Sequence, residues 1–355
     1  MNEPHPDRRR FAKTLAGSAL AGFAANALVP SPARAAEGAP LRLALVSAAT
    51  YGRPGSERTR GSNHGTAFAT IFNGYDEEKA AAMEGTFIKS QRRIEGARVV
   101  KVWDQDQGAA AALAAACGIE TVAASPEECS EGVDAAILID DGSGEQWRYA
   151  ESPLRAGVPV FCDKPLAMNA RDAAAMARLV RETGTPFLSA SSLRFVPDIT
   201  ALRAEVEADE IGPVRLATVS GPGDLVYYGI HALSMAYGVL GGGVRSVHNV
   251  GRPGAHLVRL RHGEDCDILL TVADRERLRT GFQIQLHGEK GTRSVQPDLK
   301  DLYVYLLEAF LQQLATGEEP VPVEEEAELI AVLEAGERSL ELGREVELSE
   351  LLADG

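Results

Sequence analysis

Between residues 41 and 192 the chain alternates short apolar runs with longer amphipathic or alanine-rich stretches, and this alternation constrains the fold most. The runs are "LRLALV" (41–46), "ARVVKVWD" ending at Asp104, "VDAAILIDD" ending at Asp141, "VPVFCDKP" ending at Pro165 and "TPFLSAS" ending at Ser191. Each is apolar at successive rather than alternate positions. Such strands are buried on both faces, as in a parallel sheet covered by helices. The intervening stretches read as helices. "QGAAAALAAACG" stops at Gly118, "SPEECSEG" starts at an N-cap Ser125, "SGEQWRYAESPLRAG" follows the third run, and "NARDAAAMARLVRETG" starts at Asn169. A further helix-like run follows from about Asn63, and "DEEKAAAMEGTFIKSQRRI" reads as an extra helical stretch.

Beyond residue 192 the pattern changes. "GPVRLATVSG", "VRSVHNVGR", "AHLVRLRHG", "CDILLTVAD", "TGFQIQLHG" and "GTRSVQP" are strand-like segments joined by glycine and charged turns. Their spacing predicts a mainly antiparallel sheet. One helix, "GIHALSMAYGVLG", falls between the first two, and two more close the chain, in 299–317 and 324–343. The expected fold is therefore an α/β Rossmann-like doubly wound parallel sheet domain plus an α+β domain with a mainly antiparallel sheet. The expected boundaries are 36–192 and 193–355, after a leader at 1–35.

The leader carries "DRRRFAK", with Arg8-Arg9 ahead of Phe11, then a weakly apolar segment and a small-x-small sequence, Ala33-Arg34-Ala35. This predicts a twin-arginine-type export signal and a periplasmic or secreted mature protein. The other reading is a short membrane anchor, for which the segment is short and rich in glycine and alanine. The formal net charge of -15 argues against partners such as nucleic acid or anionic lipid. Four cysteines, Cys117, Cys129, Cys162 and Cys266, match no zinc spacing and read as buried free thiols, with a disulfide as the alternative.

A dinucleotide-binding fold should carry G-x-G-x-x-G after its first strand. Here the strand exits into Ser47-Ala48-Ala49-Thr50. Small side chains there leave space, and Ser47, Thr50, Gly52, Arg53, Arg58 and Arg60 offer donors for a pyrophosphate. Asp104, at the end of the second strand, suits the hydroxyls of an adenosine ribose and repels a 2′-phosphate, which favours NAD over NADP. It reads equally as a strand-end turn residue. Asp163-Lys164-Pro165 lies where a strand meets a helix, at the carboxyl edge where ligands bind. A lysine there is either a tuned acid/base or a solvated residue before a helix. Pro165 would fix the turn, through a cis Lys-Pro bond.

"DKP", "YYGIHALSM" and the tail from "LEAFLQQLATGEEP" to "GREVEL" together resemble the Gfo/Idh/MocA oxidoreductase family, over residues 41–348. The resemblance implies an NAD(P)-binding domain, a substrate between nicotinamide and sheet domain, and Lys164 and His231 flanking the reacting carbinol. It implies Ser47, Ala48, Thr50, Asp104, Asp140 and Lys164 on the cofactor, and Tyr227, Tyr228 and His231 on a carbohydrate or polyol. A homo-oligomer is also implied. With export, it implies a nucleotide carried from the cytoplasm and recycled in place. His231 alone reads as a core or capping histidine.

The sequence departs from the family in three places. The glycine fingerprint is missing, Tyr227 and Ser234 stand where relatives have acidic residues, and "IDDGSGEQW" replaces Thr-Pro-x-x-x-His. Asp140 and Asp141 read as a helix-capping loop, or, with His231 and His64, as ligands of a divalent metal in a hydrolase or lyase. A non-catalytic sugar-binding protein is the third class. The oxidoreductase reading assigns no metal.

Overall fold

The computed structural model describes residues 39–53, 56–85, 92–276 and 281–352. The export signal expected at 1–35 lies outside the described residues. The first half comprises β1 (Leu41–Val46), β2 (Thr50–Tyr51), β3 (Thr59–Arg60), α1 (Asn63–Asn73), α2 (Glu77–Ala81), β4 (Ala97–Trp103), α3 (Gln107–Cys117), β5 (Thr121–Val122), α4 (Pro126–Ser130), β6 (Ala135–Leu138), α5 (Glu151–Arg155), β7 (Val160–Cys162), α6 (Ala170–Thr183) and β8 (Phe187–Leu188). Six of these strands form a parallel sheet in the order β5-β4-β1-β6-β7-β8. β1 is flanked by β4 on one side and β6 on the other. Its carboxyl end is therefore the switch point, where a crevice opens in sheets of this kind.

The second half follows with α7 (Pro197–Glu207), β9 (Val214–Pro222), α8 (Gly229–Leu240), β10 (Val244–Asn249), β11 (Ala255–His262), β12 (Cys266–Ala273), β13 (Gln283–Gly288), β14 (Thr292–Val295), α9 (Leu302–Thr316), α10 (Val323–Leu342), β15 (Val346–Glu347) and α11 (Ser349–Leu352). Its sheet runs β14-β13-β9-β12-β11-β10-β15 and is antiparallel except where β9 pairs with β12. The fold is thus a Rossmann-like parallel domain joined to a mainly antiparallel one.

Local chemistry fixes the boundaries. Ser125 and Asn169 accept hydrogen bonds from Glu128 and Asp172 and cap α4 and α6. Gly118 ends α3 in the left-handed conformation. Two expected helices are shorter. "SGEQWRYAESPLRAG" splits into a 3-10 turn at Gln146–Tyr149 and then α5. Pro153 lacks the N–H that a continuous helix would donate to Tyr149, so the helix restarts. The extra helical stretch is helical at Glu77–Ala81 alone, capped by Asp76, and its residues 86–91 lie outside the described residues.

One packing feature crosses the expected boundary. Val304, Leu307 and Phe310 of α9 share a core with Leu43, Phe68 and Phe161 of the parallel-sheet half. The Phe310 and Phe161 rings lie 5.8 Å apart, and Gln313 Nε2 donates to the Phe187 carbonyl at 3.1 Å. The four cysteines are free thiols, three of them buried. Burial pushes Cys117 and Cys129 up to about 12, which makes them inert. Among the described residues, no helix is long and apolar enough to cross a membrane.

Candidate active site

β7 ends at Cys162 and delivers Asp163-Lys164-Pro165 to the carboxyl edge of the parallel sheet. The Lys164–Pro165 bond is cis. Gln146 Nε2 donates to the carbonyls of Asp163 and Pro165 and so braces this turn. Lys164 is buried, with Nζ 4.2 Å from the centre of the Tyr227 ring. Burial lowers its pKa; Asp163, Asp141 and Asp224 oppose this without reversing it.

His231 stands in the first turn of α8, between Tyr228 and Phe282, with Nδ1 2.8 Å from Ser191 Oγ. Burial, reinforced by Lys164 and His64, holds its pKa well below the ordinary imidazole value. The ring is therefore neutral near pH 7 and able to accept a proton. Tyr227 Oη accepts from the Gly142 N–H at 2.8 Å and lies 3.4 Å from Asp141. Lys164, His231, Tyr227 and Tyr228 line one cavity of about 240 Å³, with His64 and Arg275. Residues far apart in sequence are thereby joined where the two sheets meet.

His64 is the residue whose place at this site sequence reasoning missed, having weighed it only as a metal ligand. Its Nδ1 lies 2.5 Å from Asp163 Oδ2, and its ring is 5.1 Å from that of Tyr303 on α9. Burial would lower its pKa, but Asp163 and Asp141 more than compensate and leave it raised. The available signal was position: Ser62 caps α1, which places His64 in the first turn of the helix after β1.

The nucleotide side is built differently from the expectation. Ser47 is buried in the left-handed conformation (φ 56°), and Ala48 is buried beside it. A short hairpin, β2 with β3, is inserted between β1 and α1. Gly65 then does the work of a fingerprint glycine, since a Cβ there would lie 1.8 Å from the Ala48 carbonyl oxygen. Asp104 is fully buried and accepts from the N–H groups of Ala49 (2.8 Å), Thr50 (3.0 Å) and Asp106 (3.0 Å) and from Thr50 Oγ1 (2.9 Å). Asp140 accepts from Ser143 and pairs with Arg58. Asp141 accepts from the N–H groups of Asn63 (2.7 Å) and His64 (3.3 Å) at the start of α1. Burial would raise its pKa, but His64, Lys164 and those N–H groups leave it lowered.

Ser47, Ala48, Thr50, Asp104 and Asp140 therefore gather along one edge, as expected. Their polar groups, however, are engaged by the chain itself. In this conformation the edge does not fit a dinucleotide at its ribose and pyrophosphate positions. Nor do Asp140, Asp141 and His231 converge as metal ligands: among the described residues there is no cluster of three His, Cys, Asp or Glu arranged to hold a metal.

Residues 75–190 match the sequence profile GFO_IDH_MocA, described as an oxidoreductase family with an NAD-binding Rossmann fold. The chain is 30% identical over 124 residues to the inositol 2-dehydrogenase of Rhizobium meliloti (strain 1021), covering 35% of this chain and 37% of that one. It is 28% identical over 277 residues to inositol 2-dehydrogenase 2 of Paenarthrobacter aurescens (strain TC1), covering 64% of this chain and 82% of that one. The chain spans about a third of the length of several inositol dehydrogenases it matches: 37%, 36% and 35%. In structure it is similar to a myo-inositol dehydrogenase from Lactobacillus casei in complex with NAD(H) and myo-inositol. There the TM-score is 0.70 at 15% identity, over 87% of this chain and 96% of that chain, a likeness of fold.

Proposed function

The chain belongs to the Gfo/Idh/MocA oxidoreductase family, and from that premise we propose that it is an NAD-dependent oxidoreductase acting on a hydroxyl or carbonyl carbon of a polyol or sugar. One observation carries the reading: Lys164 and His231, from opposite halves of the chain, line the same tyrosine-walled cavity. NAD, when bound, supplies the hydride acceptor.

The chain's own residues handle the proton. Oxidation of a carbinol requires its O–H proton to leave, and neutral His231 and pKa-lowered Lys164 are both suited to accept it near pH 7. Tyr227 and Tyr228 offer hydroxyls and ring faces to a polyol, and Ser191 fixes the His231 ring through Nδ1. The test is a panel of polyols and sugars assayed with NAD and NADP. Activity with none of them, in protein of intact fold, would sink the reading.

Export belongs to the same proposal, on the strength of "DRRRFAK". The mature protein would be periplasmic or secreted, self-associated, and supplied with a nucleotide loaded before export and recycled on two substrates. Native mass spectrometry of the exported protein tests this; a preparation that neither carries nor binds nucleotide refutes it.

A further inference from the structure

We propose that the β2–β3 hairpin is a strap lying in the dinucleotide track of this fold, and that the nucleotide binds by displacing it. The inference rests on the NAD reading above and adds to it a competition between the cofactor and the chain itself.

In an open parallel sheet the dinucleotide crosses the strand ends at the switch point. Its ribose hydroxyls meet the acid at the end of the second strand, and its pyrophosphate meets the N-terminus of the first helix. Both places are taken here by groups that mimic the ligand. The backbone N–H groups of Ala49 and Thr50 and the hydroxyl of Thr50 stand on Asp104 where ribose hydroxyls would donate. The carboxylate of Asp141 stands on the first N–H groups of α1 where a phosphate would accept. The strap is then tied across the edge. Arg58 pairs with Asp140 in a largely buried contact and also reaches Thr50, through Nε to Oγ1 at 2.8 Å and Nη2 to the carbonyl at 3.0 Å. Gly52 N–H donates to the Asp141 carbonyl at 3.0 Å, and Tyr51 pairs with Asp141 as a parallel bridge.

The fastening is polar, and that makes it exchangeable. Tyr51 is exposed and so are Thr59 and Arg60 of β3, so few apolar contacts are lost when the hairpin leaves. The excursion is bounded by left-handed residues, Ser47 (φ 56°) and Gly61 (φ 94°), whose backbones turn the chain out of β1 and back toward α1. A ligand that binds only the open form has its affinity reduced by the fraction of molecules that are open. Loosening the strap should therefore tighten binding.

The experiment uses the full chain with NAD+ as the probe, reading calorimetric affinity and amide hydrogen exchange. NAD+ should accelerate exchange at Ala49, Thr50 and Gly52, the reverse of the protection a ligand usually gives. Arg58→Ala should bind NAD+ at least about ten-fold more tightly than the unaltered chain. Thr50→Val, which removes the hydroxyl bond to Asp104, should act in the same direction and stands in if the first variant does not fold. Binding of NAD+ with those amides unchanged or more protected overturns the strap alone, as does weaker binding by Arg58→Ala, which would make Arg58 a nucleotide ligand. Failure of all three proteins to bind NAD+ overturns the strap and the NAD reading together.

Discussion

His64 Nδ1 lies 2.5 Å from Asp163 Oδ2, so the first turn of α1 is bonded to the residue immediately before Lys164. The pair is buried and joins two segments of the parallel-sheet half at the rim of the cavity. The folded imidazole holds its proton more tightly than an unfolded one. Its contribution to stability is therefore fully present below the unfolded value, about 6.5, and is lost as pH rises through the raised folded value. Asp163→Asn should lower the melting temperature more at about pH 6 than at about pH 9. An NMR titration should place His64 above the ordinary imidazole value in the parent and lower in the variant. A parent His64 titrating at or below that value contradicts the account.

Lys164→Ala and His231→Ala should each reduce kcat/KM by roughly 100- to 10,000-fold, the usual worth of a positioned proton carrier. Far-UV circular dichroism should be unchanged in both. Lys164→Arg should fail equally, because a guanidinium does not release its proton. A variant that keeps full turnover removes that residue from the chemistry.

Glu326 is wholly buried on α10, with both carboxylate oxygens lacking a hydrogen-bond partner; burial pushes its pKa up to about 8, Arg194 opposing and Glu325 adding. Folding keeps a proton that the unfolded chain gives up near 4.5. The stability this proton confers is present at low pH and is lost as pH rises through the folded value near 8. Glu326→Gln should thus raise the melting temperature near pH 8 and change it little near pH 4.5. Arg194 keeps its contact with Glu325 at 2.5 Å, so the variant retains a partner for the guanidinium. Equal effects at the two pH values would refute the assignment.

Gly65→Ala should destabilise the fold by about 3 kcal/mol, the upper range for overpacking a closed contact. The added methyl would meet the Ala48 carbonyl at 1.8 Å and push α1 off the end of β1. Urea unfolding measures this. A loss below about 0.5 kcal/mol would mean that α1 has room to shift.

The elements that carry the fold were legible because their chemistry is local. Runs such as "AAIL" of β6 are buried at every position, and caps such as Asn169 act within three residues. Lys164 and His231 were legible for the same reason, each sitting in a short motif beside its strand or helix. His64 was not, since its significance comes from Asp163, 99 residues away. The β2–β3 hairpin was also hidden, because two-residue strands have no period to read. Asp104 was placed correctly at its strand end. Its partners, Ala49 and Thr50, come from a loop whose return path no spacing rule specifies.

The return of α9 to the parallel sheet has a consequence for synthesis. The apolar face formed by Leu43, Phe68 and Phe161 is completed by Phe310, which leaves the ribosome long after the last parallel strand. The amino-terminal half therefore waits, with that face uncovered, until nearly the whole polypeptide has been made. Its final closure is a post-translational event. A ribosome stalled before α9 would release not a finished nucleotide-type domain but a sticky intermediate suited to chaperone capture.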